Sequence, residues 1–294
     1  MTNVKTKNPG TSFEALKYHY DINNSFYQLF LGQSMVYSGA LWEENEGDES
    51  YETAQIRKLD FHINQARVKD AKRVLEIGCG WGSLLKRLAN TYKVEHAVGI
   101  TLNKSHADMS AALNHPNIEV FLESWAEHSP VEPYDGIISI EAFSHFAKLD
   151  ISETEKLEVY RSFFSKCHSF LKPGGWMSIQ SNAIHENSTK KDISQFFAED
   201  IFPESDLPRL SEMIQASKGT FEIVAVRNDR EDYVRTLKVW LKKLKQNRKQ
   251  AIDLVGEESV ARYEKFLGLS MIGYHTGKSH LLRVTMRRLD NPSF

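Results

Sequence analysis

The stretch that most constrains this chain is Val74-Leu75-Glu76-Ile77-Gly78-Cys79-Gly80-Trp81-Gly82-Ser83. A mostly apolar run ends in three alternating glycines, and Leu84, Leu85, Leu88 and Ala89 follow at helical spacing. That order reads as a buried strand entering an amphipathic helix through a glycine turn. Glycine lets the backbone approach a ligand closely, and the helix N-terminus presents N–H groups without intrahelical partners. The string alone also suits a purely structural turn, so its neighbours must discriminate.

Two details point away from a nicotinamide dinucleotide. Glu76 sits inside the strand, two residues before the first glycine, where it can accept a hydrogen bond from a cationic or amino-bearing ligand. The ribose-binding acid expected about twenty residues on is missing, because the next strand, Ala97-Val98-Gly99-Ile100, ends in Thr101-Leu102-Asn103. Leu75 to Gly82 followed by Val98-Gly99-Ile100-Thr101-Leu102 resembles the S-adenosylmethionine (SAM) site of the cyclopropane-fatty-acid-synthase-like methyltransferases. That group includes the mycolic acid methyltransferases and the coclaurine-type N-methyltransferases.

The resemblance covers the chain from about residue 17 to its end. It implies a class I, Rossmann-like α/β fold: a doubly wound, mostly parallel seven-stranded sheet with an N-terminal helical lid and an inserted helical cap. The residues agree, since strands at 117–122, 135–140 and 176–180 alternate with helices at 104–114 and 153–171. The turn Lys172-Pro173-Gly174-Gly175 stops the second helix and resets the chain. The expected organisation is a lid and acceptor-pocket segment (1–66), a SAM-binding core (67–182), a cap (183–220), and a C-terminal part (221–294) that completes the sheet. Phe26, Tyr27, Phe30 and Leu31 recur at helical spacing and predict a core helix.

Composition narrows the class further. The 294 residues carry a net charge of −2, so no global field argues for nucleic acid. No run approaches the roughly 18 apolar residues of a membrane span, and the first ten residues lack an apolar signal core. Two cysteines, Cys79 and Cys167, offer no disulfide framework and no metal cluster. A soluble, cytoplasmic protein without a metal is expected. The basic segment Lys238–Lys249 reads first as a solvated face, with peripheral membrane or carrier-protein contact as the second reading.

The resemblance assigns roles residue by residue. Tyr37 and Ser38 would meet the methionine end of SAM, and Glu76, Gly78, Gly80, Gly82, Thr101 and Leu102 are further cofactor-binding positions. Ser124 and Trp125 stand at the adenine, with Ser124 where the family usually has aspartate. Aromatic faces also suit a sulfonium, since a desolvated cation over a ring gains roughly 2 kcal/mol. Tyr18, Tyr20, Phe143, Phe196 and Phe197 are the candidate walls of the acceptor pocket.

Methyl transfer needs in-line positioning and a reactive nucleophile more than covalent help. The groups after the fourth strand lie at the C-terminal edge of the sheet, beside the cofactor. Glu141 and His145 are four apart, which places them on one face if a helix begins there. A carboxylate and an imidazole so placed can orient an amine and accept its proton. The two match the catalytic pair of the coclaurine-type enzymes, although Ser144 departs from the glutamate those enzymes have. Cyclopropane synthases instead have glycine at position 141, glutamate at 144, cysteine at 39 and histidine at 180. In that family these groups hold a bicarbonate ion that takes a proton from a carbocation, and of that set Tyr233 remains here.

The favoured expectation is therefore methylation of an amine nitrogen on a small lipophilic or aromatic acceptor of specialised metabolism. The alternative is C-methylation of an alkene in a prenyl or acyl lipid, without cyclopropane closure. A SAM-binding accessory protein without turnover is the third reading.

Overall fold

The computed structural model describes residues 8–12, 15, 23–43, 49–188, 201 and 204–290. Seven strands form one sheet: β1 (Arg73–Ile77), β2 (His96–Thr101), β3 (Ile118–Leu122), β4 (Tyr134–Ile140), β5 (Leu171–Ile184), β6 (Phe221–Asn228) and β7 (Ser279–Arg288). Their order is β3-β2-β1-β4-β5-β7-β6. β1 to β5 pair in parallel, while β7 runs antiparallel to both β5 and β6. β1 is buried along Val74 to Ile77, as expected of a strand covered on both faces. Chain order reverses between β1 and β4, and a crevice opens at the C-terminal ends of those strands.

Among the described residues the helices are α1 (Asn24–Leu31), α2 (Tyr51–Gln65), α3 (Ser83–Asn90), α4 (Lys104–Ala111), α5 (Glu153–Phe170), α6 (Leu210–Ala216), α7 (Arg230–Gln246), α8 (Arg248–Val255) and α9 (Glu257–His275). α3 buries Leu84, Leu85, Leu88 and Ala89, the stripe its spacing predicts. α5 starts at a capping box formed by Ser152 and Glu155 and buries Tyr160, Phe163, Phe164 and Cys167 in the main core.

A second core ties the two ends of the chain together. Phe26, Tyr27, Phe30 and Leu31 of α1 are buried against Leu237 and Trp240 of α7 and Tyr263 of α9. The Tyr27 and Tyr263 hydroxyls share a 2.7 Å hydrogen bond, and Phe26 meets the Tyr263 ring edge-on at 5.0 Å. Such an aromatic pair adds about 0.5–1.5 kcal/mol beyond its burial.

Two local expectations are corrected. The Lys172–Gly175 segment lies inside β5, which begins at Leu171 and runs past Gln180 to Ile184. The basic stretch is two helices, because α7 ends at Gln246 and α8 begins at Arg248. Lys243 pairs with Glu52 and Arg248 with Glu257 and Glu264, while Lys238, Lys242, Lys245 and Lys249 are exposed. Tyr18, Tyr20, Phe196 and Phe197 lie outside the described residues. No helix among the described residues is long and apolar enough to cross a membrane.

Candidate active site

A cavity with about 1090 Å³ of space, part of it open to solvent, lies at the crevice between β1 and β4. Its floor is the glycine turn. Gly78 adopts φ +83°, and a Cβ there would sit 2.4 Å from that of Ala142, closing the crevice. The Gly78 and Cys79 N–H groups donate to the Ile100 carbonyl at 2.9 and 3.2 Å, tying the turn to β2. Gly80 faces the cavity, whereas Gly82 turns away as the N-cap of α3. Thr101 and Leu102 close one side, and Tyr37 leans on Trp240 and Tyr27 with ring centroids 5.2 and 5.3 Å apart.

Three buried polar atoms on this wall have no hydrogen-bond partner among the described residues: Glu76 Oε2, Ser124 Oγ and Trp125 Nε1. Such atoms are rare in folded proteins unless a ligand supplies the partner. Burial pushes the Glu76 carboxyl well above the usual carboxylate range, with the Lys58 ammonium pulling the other way. An ammonium-bearing nucleoside fits all three, with an amine for Glu76 and a heteroaromatic base for Ser124 and Trp125. SAM has those groups.

Glu141 follows β4 directly and adopts φ +57°, a conformation that costs a non-glycine residue of order 1–3 kcal/mol. Its carboxylate accepts four hydrogen bonds. Oε1 takes the Gly39 N–H and the Gln180 amide, both at 2.8 Å. Oε2 takes the Tyr233 hydroxyl at 3.1 Å and the Asn182 amide at 3.3 Å. Residue 39 is glycine because a Cβ there would lie 2.6 Å from Leu281 and 3.2 Å from the Tyr233 ring.

The Gln180 amide is itself oriented. Its Oε1 accepts from Arg283 Nε at 2.9 Å and lies 3.1 Å from His62 Nε2, leaving its NH₂ for Glu141 and the Gly39 carbonyl. This arrangement assigns the His62 proton to Nε2, with Nδ1 accepting from Ser178 at 2.8 Å. Burial and then the nearby Arg283 charge hold the His62 imidazole well below its ordinary range, so it is neutral. Arg283 is paired with Asp229 and also donates to the Ala40 carbonyl at 2.8 Å.

The expected helical face of Glu141 and His145 does not form. A short 3₁₀ turn, Phe143–His145, replaces the helix, and the positive φ of Glu141 redirects its side chain. Both residues line the cavity, but His145 Nδ1 engages Ser205 at 2.9 Å, and Ser205 engages Thr11. Burial lowers the His145 imidazole to about 4. Tyr233 stands behind Glu141, away from the cavity wall. Phe143 is no pocket wall: it is fully buried in the main core, stacked on Tyr160 at 4.6 Å, because the 3₁₀ turn points it under the sheet. Phe146 takes the place on the wall.

Sequence reasoning missed the face of α2. Tyr51, Gln55, Lys58 and His62 recur at intervals of four, three and four, and all four are buried. Polar residues at the inward positions of a helix, beside Leu59 and Ile63, were the available signal. Asn182 was missed because β5 continues two turns of the pleat beyond Gln180.

The profile of the family described as mycolic acid cyclopropane synthetase matches residues 7–284. Cyclopropane mycolic acid synthase 1 of Mycobacterium tuberculosis is 33% identical over 273 residues, covering 87% of this chain and 90% of its own. The crystal structure of the mycolic acid cyclopropane synthase CmaA1 with SAH and CTAB superposes with a TM-score of 0.83 at 29% identity, covering 95% of this chain and 99% of that one. Coclaurine N-methyltransferase, bound to N-methylheliamine and SAH, shares the fold at TM-score 0.78 and 20% identity, over 96% of this chain and 84% of its own. The cofactor is SAM, whose amine and base match the partnerless atoms of the cavity. By that profile match, identity and superposition, the chain belongs to the mycolic acid cyclopropane synthetase family of SAM-dependent methyltransferases.

Proposed function

We propose that this enzyme methylates an alkene carbon in a lipid chain and that Glu141 is its base. One observation carries the reading. Gly39, Gln180 and Tyr233 stand at positions where the resemblance places bicarbonate contacts, and here they hold the carboxylate of Glu141. On this reading a carboxylate of the chain itself stands where the family holds bicarbonate.

The amine reading gives way because the relative at 33% identity is named for a lipid, whereas the amine-methylating neighbour, at 20%, speaks for the fold alone.

Bound SAM supplies an electrophilic methyl, and its transfer to an alkene leaves a carbocation on the acceptor. Glu141 takes a proton either from the chain carbon beside that charge, which leaves an alkene, or from the new methyl, which closes a ring. The longest of its four hydrogen bonds, to Asn182 at 3.3 Å, is the one a transferred proton displaces most readily. Tyr233, Gln180 and the Gly39 N–H hold the carboxylate in place meanwhile.

The test is turnover of methyl-deuterated SAM with vesicles of unsaturated phospholipid, with and without added bicarbonate. The expected result is label on an acyl carbon at a rate indifferent to bicarbonate. A ring keeps two of the three deuteriums and a methyl-branched alkene keeps all three, which identifies the proton Glu141 removes. Label on an amine in a parallel panel, or a rate that needs added bicarbonate, refutes the proposal.

A further inference from the structure

The cavity wall holds a buried cation that neither the glycine turn nor the Glu141 cluster requires. Lys58 of α2 is completely shielded from solvent, yet its side chain reaches the cavity. Its Nζ donates to Ser38 Oγ at 2.6 Å. An ammonium has three protons to donate, and buried charges are normally paired. The carboxylates that face it are Glu76 from β1 and Glu141 after β4, and no ion pair joins it to either among the described residues. Arg283 from β7 opposes its charge, and His62, one turn along α2, is neutral.

We propose that Lys58 binds the carboxylate of the cofactor's amino-acid end, beside Ser38, which the resemblance places at that end, and opposite Glu76, whose partnerless oxygen faces the ammonium. The two protein charges and the two ligand charges are complementary, and each protein group is buried on the same wall. Ser38 uses an oxygen lone pair for Lys58, so its own hydroxyl proton points to a further acceptor, which the ligand carboxylate supplies. The Ser38 carbonyl is held by Gln55 Nε2 at 2.9 Å, so α2 positions both halves of this contact. Burial depresses the Lys58 ammonium to about 7 in the free protein, and an incoming carboxylate restores its charge.

The experiment is calorimetric binding of SAH and of its decarboxylated analogue, which keeps the amine, thioether and adenosine but lacks the carboxylate. The wild-type protein is expected to prefer SAH by between about tenfold and a hundredfold, the range for a charge-assisted hydrogen bond. Lys58→Met should lose that preference, with SAH weakened by the same factor and the analogue unchanged within about twofold. Ser38→Ala should shift SAH in the same direction by less. Equal weakening of both ligands by Lys58→Met means that Lys58 only packs α2, and the proposal fails. It fails too, without any variant, if the wild-type protein binds the analogue as tightly as SAH. Neither outcome touches the identity of the acceptor, so this test and that of the lipid reading fail separately.

Discussion

At the cofactor end of the cavity, binding surface is made of backbone: three glycines in a few residues, tied to β2 by two N–H groups. At the acceptor end it is made of side chains gathered from afar. The Glu141 carboxylate rests on a loop N–H before α2, two amides of β5 and a hydroxyl of α7. The first end depends on what the main chain may adopt locally. The second depends on four elements arriving in register, and the strain at Glu141 is borne by that assembly.

Substitutions should separate the two ends. Glu141→Gln keeps the shape but removes the base, and activity should fall by about 10²–10⁴-fold with SAH affinity unchanged. Single-turnover rates beside calorimetry will check this, and a parallel loss of affinity would mean the two ends are not independent. Gly78→Ala should do the reverse, because it must strain φ +83° and move Ala142. A cost of about 2–3 kcal/mol should appear mainly as weaker SAH binding, by between about 30-fold and 150-fold.

Acidification tests the support beneath Glu141. His62 is neutral in the fold, while its unfolded imidazole takes up a proton near pH 6.5. The unfolded state then binds more protons, so this stability is present above about pH 6.5 and declines as pH falls. His145, lowered to about 4, adds to the decline down to that value. Each group contributes about 1.4 kcal/mol per pH unit within its window. Thermal melts between pH 7 and 4 should fall less steeply in His62→Gln than in wild type; identical slopes would place the His62 proton elsewhere. The smallest effect belongs to Tyr233→Phe, which removes one of four donors. It should cost about 1 kcal/mol of transition-state stabilisation, roughly fivefold in rate, with the distribution of deuterium in the product unchanged.

The parts legible in the sequence were those with short range. Leu84, Leu85, Leu88 and Ala89 announce the buried face of α3, and Phe26, Tyr27, Phe30 and Leu31 that of α1, because helix period is a local property. Glu141 and His145 show the limit of the same reasoning. Spacing of four predicts a shared face only on a helix, and the backbone at residue 141 turns left-handed instead. Phe143, read as a pocket wall, went into the core for the same reason.

The strand, glycine turn and helix and the alternation that builds a doubly wound sheet were determined by the sequence alone, since each depends on backbone conformation or periodic burial over a dozen residues; the cofactor class came with the resemblance those residues carry. Only the tertiary structure decided that Glu141 would be clasped by residues 39, 180, 182 and 233, and that α2 would turn Lys58 and His62 inward. Those contacts join residues up to 141 positions apart, as between Gly39 and Gln180. They exist because β5 lies beside β4, with α2 and α7 packed where their side chains reach it. Hydrogen bonds over such separations follow from strand order and helix packing, which no local spacing encodes.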